Sequence, residues 1–148
     1  MKNRQPIWVL GQKVTLHSST GNFDLAIIET PPESQGPPPH DHKTYDEFFS
    51  ILEGEMEFMV NGERIVLKEG ESLDVPSGKI HTFQNVQKHS CKWISVHSPK
   101  GFSEFFNDFG IPFDHENAIL KSVDPTLIQK VLRTAANYDM NIPPPPSL

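Results

Sequence analysis

The sequence predicts an all-β chain that closes with a short helical extension. Between residues 7 and 98, short runs rich in branched and aromatic residues are broken by turn residues at near-regular intervals, the pattern of a β-sandwich or barrel. Asn61-Gly62 stands between two apolar runs. That pair is the strongest short-range hairpin signal, because both residues tolerate positive φ. After Pro99 the large apolar residues switch from alternating to helical spacing.

Taken in order, residues 7–16 read as one or two short strands around Gly11. Residues 23–30 (FDLAIIET) form a better strand, opened by Gly21-Asn22. Residues 30–39 are a Pro/Gly loop. Proline stiffens the chain and removes backbone donors, so this loop either delivers His40 to a defined place or is a plain connector. Residues 46–52 make a strand that turns at Glu53-Gly54, and Glu55–Val60 and Glu63–Lys68 are the arms of the Asn61-Gly62 hairpin. Glu69-Gly70 turns again, and Ser72–Val75, residues 81–86 and residues 92–98 follow as strands. In residues 101–110 (GFSEFFNDFG), Phe102, Phe105, Phe106 and Phe109 mark one amphipathic helix, with Ser103 as its cap. Asp124-Pro125 is an N-cap followed by proline at the first helical position. That helix is expected from residue 125 to about 137, with Leu127, Ile128, Val131 and Leu132 inward. Residues 142–148 (IPPPPSL) cannot be helical and read as a polyproline strand on the body or a loose end.

The chain has 148 residues, enough for one domain with a single core. Its division is expected to be a barrel over residues 1–100 and a helical segment with a Pro-rich tail, 101–148, packed on it. A formal charge of −6 argues against nucleic acid and anionic membrane surfaces as partners. The single cysteine, Cys91, excludes an intramolecular disulfide and fits a reducing compartment. No window approaches a membrane span and the N-terminus has no apolar signal core, so a cytoplasmic protein is expected.

Chemistry concentrates in residues 36–85. The first half reads GPPPHDHKTYDEFFSILEG and carries His40, His42 and Glu47; the second reads GESLDVPSGKIHTFQN and carries His81. Alternation along a strand projects His40 and His42 from one face. Glu47 follows a short turn, and His81 has to be brought in by sheet pairing, aimed by Pro76-Ser77-Gly78. Three neutral imidazoles and one carboxylate suit a divalent transition metal (Fe, Mn, Ni, Cu, Co or Zn) and not Ca or Mg.

Both halves resemble the two motifs of the cupin superfamily: His40-x-His42-x₄-Glu47-x₆-Gly54, then Gly70-x₅-Pro76-x-Gly78-x₂-His81-x₃-Asn85. Gly36 lies closer to His40 than that pattern usually has it. The C-terminal segment is similar to quercetin-dioxygenase-like bacterial monocupins. The resemblance implies a cupin barrel, a double-stranded β-helix or jelly roll, with a metal near one mouth held by His40, His42, Glu47 and His81. It also implies a homodimer.

Smaller expectations attach to other residues. Phe49, Ile51, Phe58 and Phe83 are candidates to line the cavity and contact substrate, or are ordinary core. His97 shares its alternation with Cys91, Trp93 and Ser95; facing inward it would bind substrate or support the site, and otherwise it is a packed or surface histidine. Tyr45 and Asp46 precede Glu47 and are placed to orient it. The phenylalanine cluster 102–109 closes one end of the barrel or lies in a dimer interface.

Three functions follow. The first is a metal-dependent dioxygenase acting on a flavonol-like, enol or other oxygen-rich apolar small molecule. There Glu47 serves both as ligand and, as the resemblance implies, as the catalytic proton acceptor. The second is a cupin isomerase or lyase acting on a keto acid or sugar. The third is a non-enzymatic metal- or small-molecule-binding module. The inward faces carry few Lys or Arg, which favours an apolar substrate over a phosphorylated one.

Overall fold

The computed structural model describes residues 4–144 and Ser147. Among the described residues, eleven strands and three α-helices are formed: β1 (Ile7–Val9), β2 (Gln12–His17), β3 (Asp24–Thr30), β4 (Ser34–Gln35), β5 (Asp46–Glu53), β6 (Glu55–Val60), β7 (Glu63–Lys68), β8 (Ser72–Val75), β9 (His81–Asn85), β10 (Cys91–Ser98), α1 (Ser103–Phe109), β11 (Ile111–Pro112), α2 (Ala118–Ser122) and α3 (Pro125–Thr134). Seven strands pair in the order β11-β1-β2-β3-β10-β5-β8, and four in the order β4-β9-β6-β7. Every pairing is antiparallel. The result is a two-sheet jelly roll, as expected. Among the described residues, no helix is long and apolar enough to cross a membrane.

The period-two pattern does the sorting. Along β10, Cys91, Trp93, Ser95 and His97 are buried in turn, and along β5, Glu47, Phe49 and Ile51 are. These faces meet the second sheet at a packed aromatic layer. Phe49 stacks on Phe58 with centroids 5.1 Å apart, and Trp93 stands edge-on to Phe83 at 4.9 Å. The Trp93 indole donates to Thr30 Oγ1 at 2.9 Å, which satisfies its one polar atom inside the core. Asn85 ends β9 by donating its amide to the carbonyls of Pro31 and His89 at 3.0 and 2.8 Å. This gives the last residue of the second motif a structural role.

The Asn61-Gly62 turn forms with φ of +48° and +82°. Gly36 matters for a different reason. Its amide donates to Phe83 O at 2.9 Å, and a Cβ there would sit 2.4 Å from that oxygen. Only a residue without a side chain can pass this close.

Four expectations are corrected. Ser103 is the first residue of α1 and not its cap; the helix start is held by Asp24 Oδ2, which accepts from Gly101 N and Ser103 N at 2.7 and 3.1 Å. The last helix stops at Thr134 and continues as a 3₁₀ turn, Ala135–Tyr138, and Leu132 faces solvent while Val131 is buried. His40 lies outside the strands, joined to His81 by an isolated bridge. The short elements β4, α2 and β11 have too few residues to show a period. Of the Pro-rich tail, Pro145, Pro146 and Leu148 lie outside the described residues. Phe102, Phe105, Phe109, Val131, Ala135 and Met140 share one apolar core with the strands.

Candidate metal centre

His40, His42, Glu47, His81 and His97 converge at one end of the sandwich, none more than 6 % exposed. Each is delivered by a different local device. Glu47 points inward because it is the second residue of β5, and the β5–β10 register sets His97 directly opposite it. His40 is bridged to His81 through its backbone, with N···O distances of 3.0 and 2.9 Å. The turn before β9 is clamped to the first motif: Gly78 N donates to His42 O at 2.7 Å, and Ser77 N to Asp46 Oδ1 at 2.9 Å. Asp46 therefore steadies the turn that leads to His81 and does not orient Glu47. Asn61 adds a second hold, exchanging bonds with the backbone of Ile80.

The imidazoles are oriented from behind. His40 Nδ1 meets Pro38 O at 2.9 Å, His42 Nδ1 meets Asp139 O at 2.7 Å, and His81 Nδ1 meets Lys79 O at 2.9 Å. A carbonyl can only accept, so each Nδ1 carries the proton and each neutral ring keeps a bare Nε2. Metal-ligating histidines are held in this way. Glu47 Oε2 lies 2.6 Å from His81 Nε2, and Oε1 lies 2.7 Å from His97 Nε2 and 3.5 Å from His42 Nε2. These are close approaches without full hydrogen-bond alignment. Among the described residues, His42 Nε2, His97 Nε2 and Glu47 Oε2 are buried with no hydrogen-bond partner. Native proteins rarely leave such atoms bare unless something binds there.

Charge follows burial and neighbours. Burial, then the nearby His81, pushes the His40 imidazole down to about 3, so it stays neutral. Burial alone would raise the Glu47 carboxyl, but the His97 charge and contacts from His42, His81 and His97 outweigh it and hold the group well below its usual range. Burial likewise opposes protonation of His81, and the Glu47 contact overcomes it, raising that imidazole.

Two donor sets, His40–His42–His81 and His42–Glu47–His97, each bring their ligand atoms within 4.8 Å of one another. Three aimed nitrogens with an ionised carboxylate fit a divalent first-row cation. His97 enters this cluster although its position in sequence favoured a packed or surface histidine. Its ring stacks on Phe102, centroids 4.3 Å apart at 22°.

The donors form one wall of a cavity of about 90 Å³. Phe49 and Phe83 line it, as expected. Phe58 does not; it is fully buried behind Phe49 and belongs to the core, and Ile51 likewise lies behind the wall. Phe102, just before α1, and Phe105 and Phe106 within it also line the cavity. Tyr45 stands edge-on to His42, His97 and Phe102 and packs behind them. Gln12 also lines the cavity, and its Oε1 is buried with no partner among the described residues. No sequence pattern marked Gln12 or Asp139. Gln12 Nε2 donates to Ser34 Oγ at 3.4 Å, and Asp139 meets His42 from 97 positions away.

A family model described as "Cupin domain" matches residues 26–97. Among curated relatives, quercetin 2,3-dioxygenase of Bacillus subtilis is 27% identical over 97 residues, which is 66% of this chain and 28% of that protein. The transcriptional regulator PuuR of Escherichia coli is 35% identical over 57 residues, 38% of this chain and 31% of that one. The chain thus spans less than a third of the length of either relative. Among solved structures, an RmlC-like cupin from Shewanella frigidimarina matches with a TM-score of 0.58 at 22% identity, covering 68% of this chain and 88% of the other. KdgF from Halomonas sp. matches at 0.57 and 20%, covering 61% and 80%. A sugar phosphate isomerase from Silicibacter pomeroyi matches at 0.56 and 18%, covering 62% and 61%. At these identities the solved structures speak to the fold alone.

Proposed function

From the premise that this chain belongs to the cupin superfamily, we propose that it is a metal-dependent oxygenase for an oxygen-rich, otherwise apolar small molecule of the flavonol or enol kind. The observation that carries this reading is the set of backbone-anchored imidazoles, His40, His42 and His81, opening with Glu47 onto an apolar cavity. A divalent transition metal held by His40, His42, Glu47 and His81 would supply Lewis acidity toward a substrate oxygen and, where redox-active, one-electron chemistry with O₂.

The chain's own residues account for the rest. Glu47 is buried and lines the cavity, so its carboxylate is placed to accept a proton from a substrate hydroxyl. His97 Nε2, at 2.7 Å from Oε1, is placed to take on a proton that the carboxyl has accepted from substrate. Phe49, Phe83 and Phe102 give an aromatic ring apolar walls, and Gln12 offers an unpaired amide end to a hydroxyl. Among the described residues no lysine or arginine lines the cavity. A phosphate would therefore lose its hydration without a protein counter-charge, which disfavours phosphorylated sugars.

The test is O₂ uptake by protein loaded with Fe, Mn or Ni, on a panel of flavonols and β-diketones. Uptake with ring or chain cleavage is expected. Isomerisation of a keto acid without uptake would replace this reading with a cupin isomerase or lyase. Retention of a small ligand with neither reaction would make it a binding module. The homodimer rests on the resemblance, and light scattering at the mass of two chains is the expected result.

A further inference from the structure

The loop that carries the first two candidate ligands belongs to neither sheet. Asp41 exchanges backbone bonds with Asn141, at 3.0 and 2.9 Å. Asp139 makes the other contacts on that side. Its Oδ1 accepts from Lys43 N at 2.9 Å and its Oδ2 from Thr44 N at 2.7 Å, while its main-chain oxygen accepts from His42 Nδ1 at 2.7 Å. Asn141 Nδ2 donates to Asp139 Oδ1 at 2.8 Å, so the carboxylate is itself fixed. Asp139 holds a left-handed backbone at φ +57°, just after the 3₁₀ turn, and this turns its carbonyl and carboxylate toward one loop. One residue thus holds the His42 ring and the two amides after it. It lies 97 positions from His42 and outside the stretch matched by the family model.

We infer that Asp139 is a positioning residue for the metal centre, and that docking of the strap formed by residues 139–141 is coupled to cation binding at His40 and His42. This rests on the metal reading above. A strap that orders the ligand loop raises cation affinity, and by linkage a bound cation holds the strap down. Local opening of the strap would let the His42 ring turn and its Nε2 leave the site.

The probe is Co(II) alone. Its dissociation constant is measured by competition with a chromophoric chelator, for wild type, Asp139→Gly and Asp139→Asn, with circular dichroism confirming that each is folded. Glycine keeps the left-handed backbone and the carbonyl but loses the carboxylate bonds from Lys43 N, Thr44 N and Asn141 Nδ2, so affinity should fall about 10- to 100-fold. Asparagine keeps one acceptor and should recover part of that loss. The visible spectrum of bound Co(II), which reports ligand geometry, should shift in the glycine variant. Equal affinities and spectra in the folded variants would overturn the inference while leaving the metal reading intact, and wild type that binds no Co(II) would overturn both. If Asp139→Gly does not fold, hydrogen exchange on wild type decides. Co(II) should slow exchange at the amides of Lys43, Thr44 and Asn141, and no change there would sink the coupling.

Discussion

At the scale of single residues, the centre depends on which atoms are left bare. His42 and Glu47 each present a buried polar atom that no described residue satisfies. Substituting either by alanine removes a ligand atom and leaves the fold's apolar contacts largely in place. Metal content by plasma mass spectrometry should fall for His42→Ala and Glu47→Ala; content equal to wild type would refute the assignment. His40 makes a different prediction for the metal-free protein. Its folded value is about 3 against an ordinary 6.5, so between those values the unfolded chain binds a proton that the folded one refuses. Stability from this group is complete above pH 6.5 and declines as pH falls through that window, at about 1.4 kcal/mol per pH unit. Urea midpoints of wild type should fall more steeply with acid than those of His40→Gln. Parallel curves would show that His40 titrates normally. His40, His42, Glu47 and His81 were legible as candidates in the sequence because their types and short spacings are local. Which of them stay neutral was not, because that depends on burial.

At the scale of elements, two glycines separate strain from placement. Gly62 has φ +82° with nothing within 4 Å of a built Cβ, so alanine there meets only backbone strain. Gly62→Ala should cost about 1 kcal/mol of stability and leave metal content unchanged. Gly36 has the opposite problem, since its Cβ would strike Phe83 O and the Phe83 ring. Gly36→Ala should displace the segment that leads through Pro37 and Pro38 to His40, and metal content should drop with stability. A Gly36→Ala protein with wild-type metal content would show that this segment does not aim His40. The hairpin itself was readable, because turn chemistry is decided by two adjacent residues. The cap of α1 was not, because Asp24 reaches it from β3, 77 positions away. Leu132 shows a related limit: helical spacing names a face, and a neighbouring element decides how wide a stripe of it is covered.

At the scale of the whole molecule, the cavity decides chemistry. Its walls come from both sheets, from α1 and from Met140, so it exists only when the extension is docked on the sandwich. A flavonol should raise the melting temperature of the metal-loaded protein, and a sugar phosphate at equal concentration should not. The reverse order would reject the apolar-substrate reading. Gln12→Leu should weaken the response to a hydroxylated flavonol more than to one lacking those hydroxyls.

Strand positions and the central hairpin could be read directly, since alternation and turn preference act over two to four neighbouring residues; the four candidate donors were visible only as the spacing of two motifs. Three features needed the folded chain. Phe58 and Phe83 share the same signal, yet one is buried behind Phe49 and the other faces the cavity. His97 joins Glu47 through the register of β10 on β5. Asp139 meets His42 from 97 positions away. Periodicity states which side of a strand a residue occupies; depth within the layer and the identity of the facing group emerge only when distant segments pack.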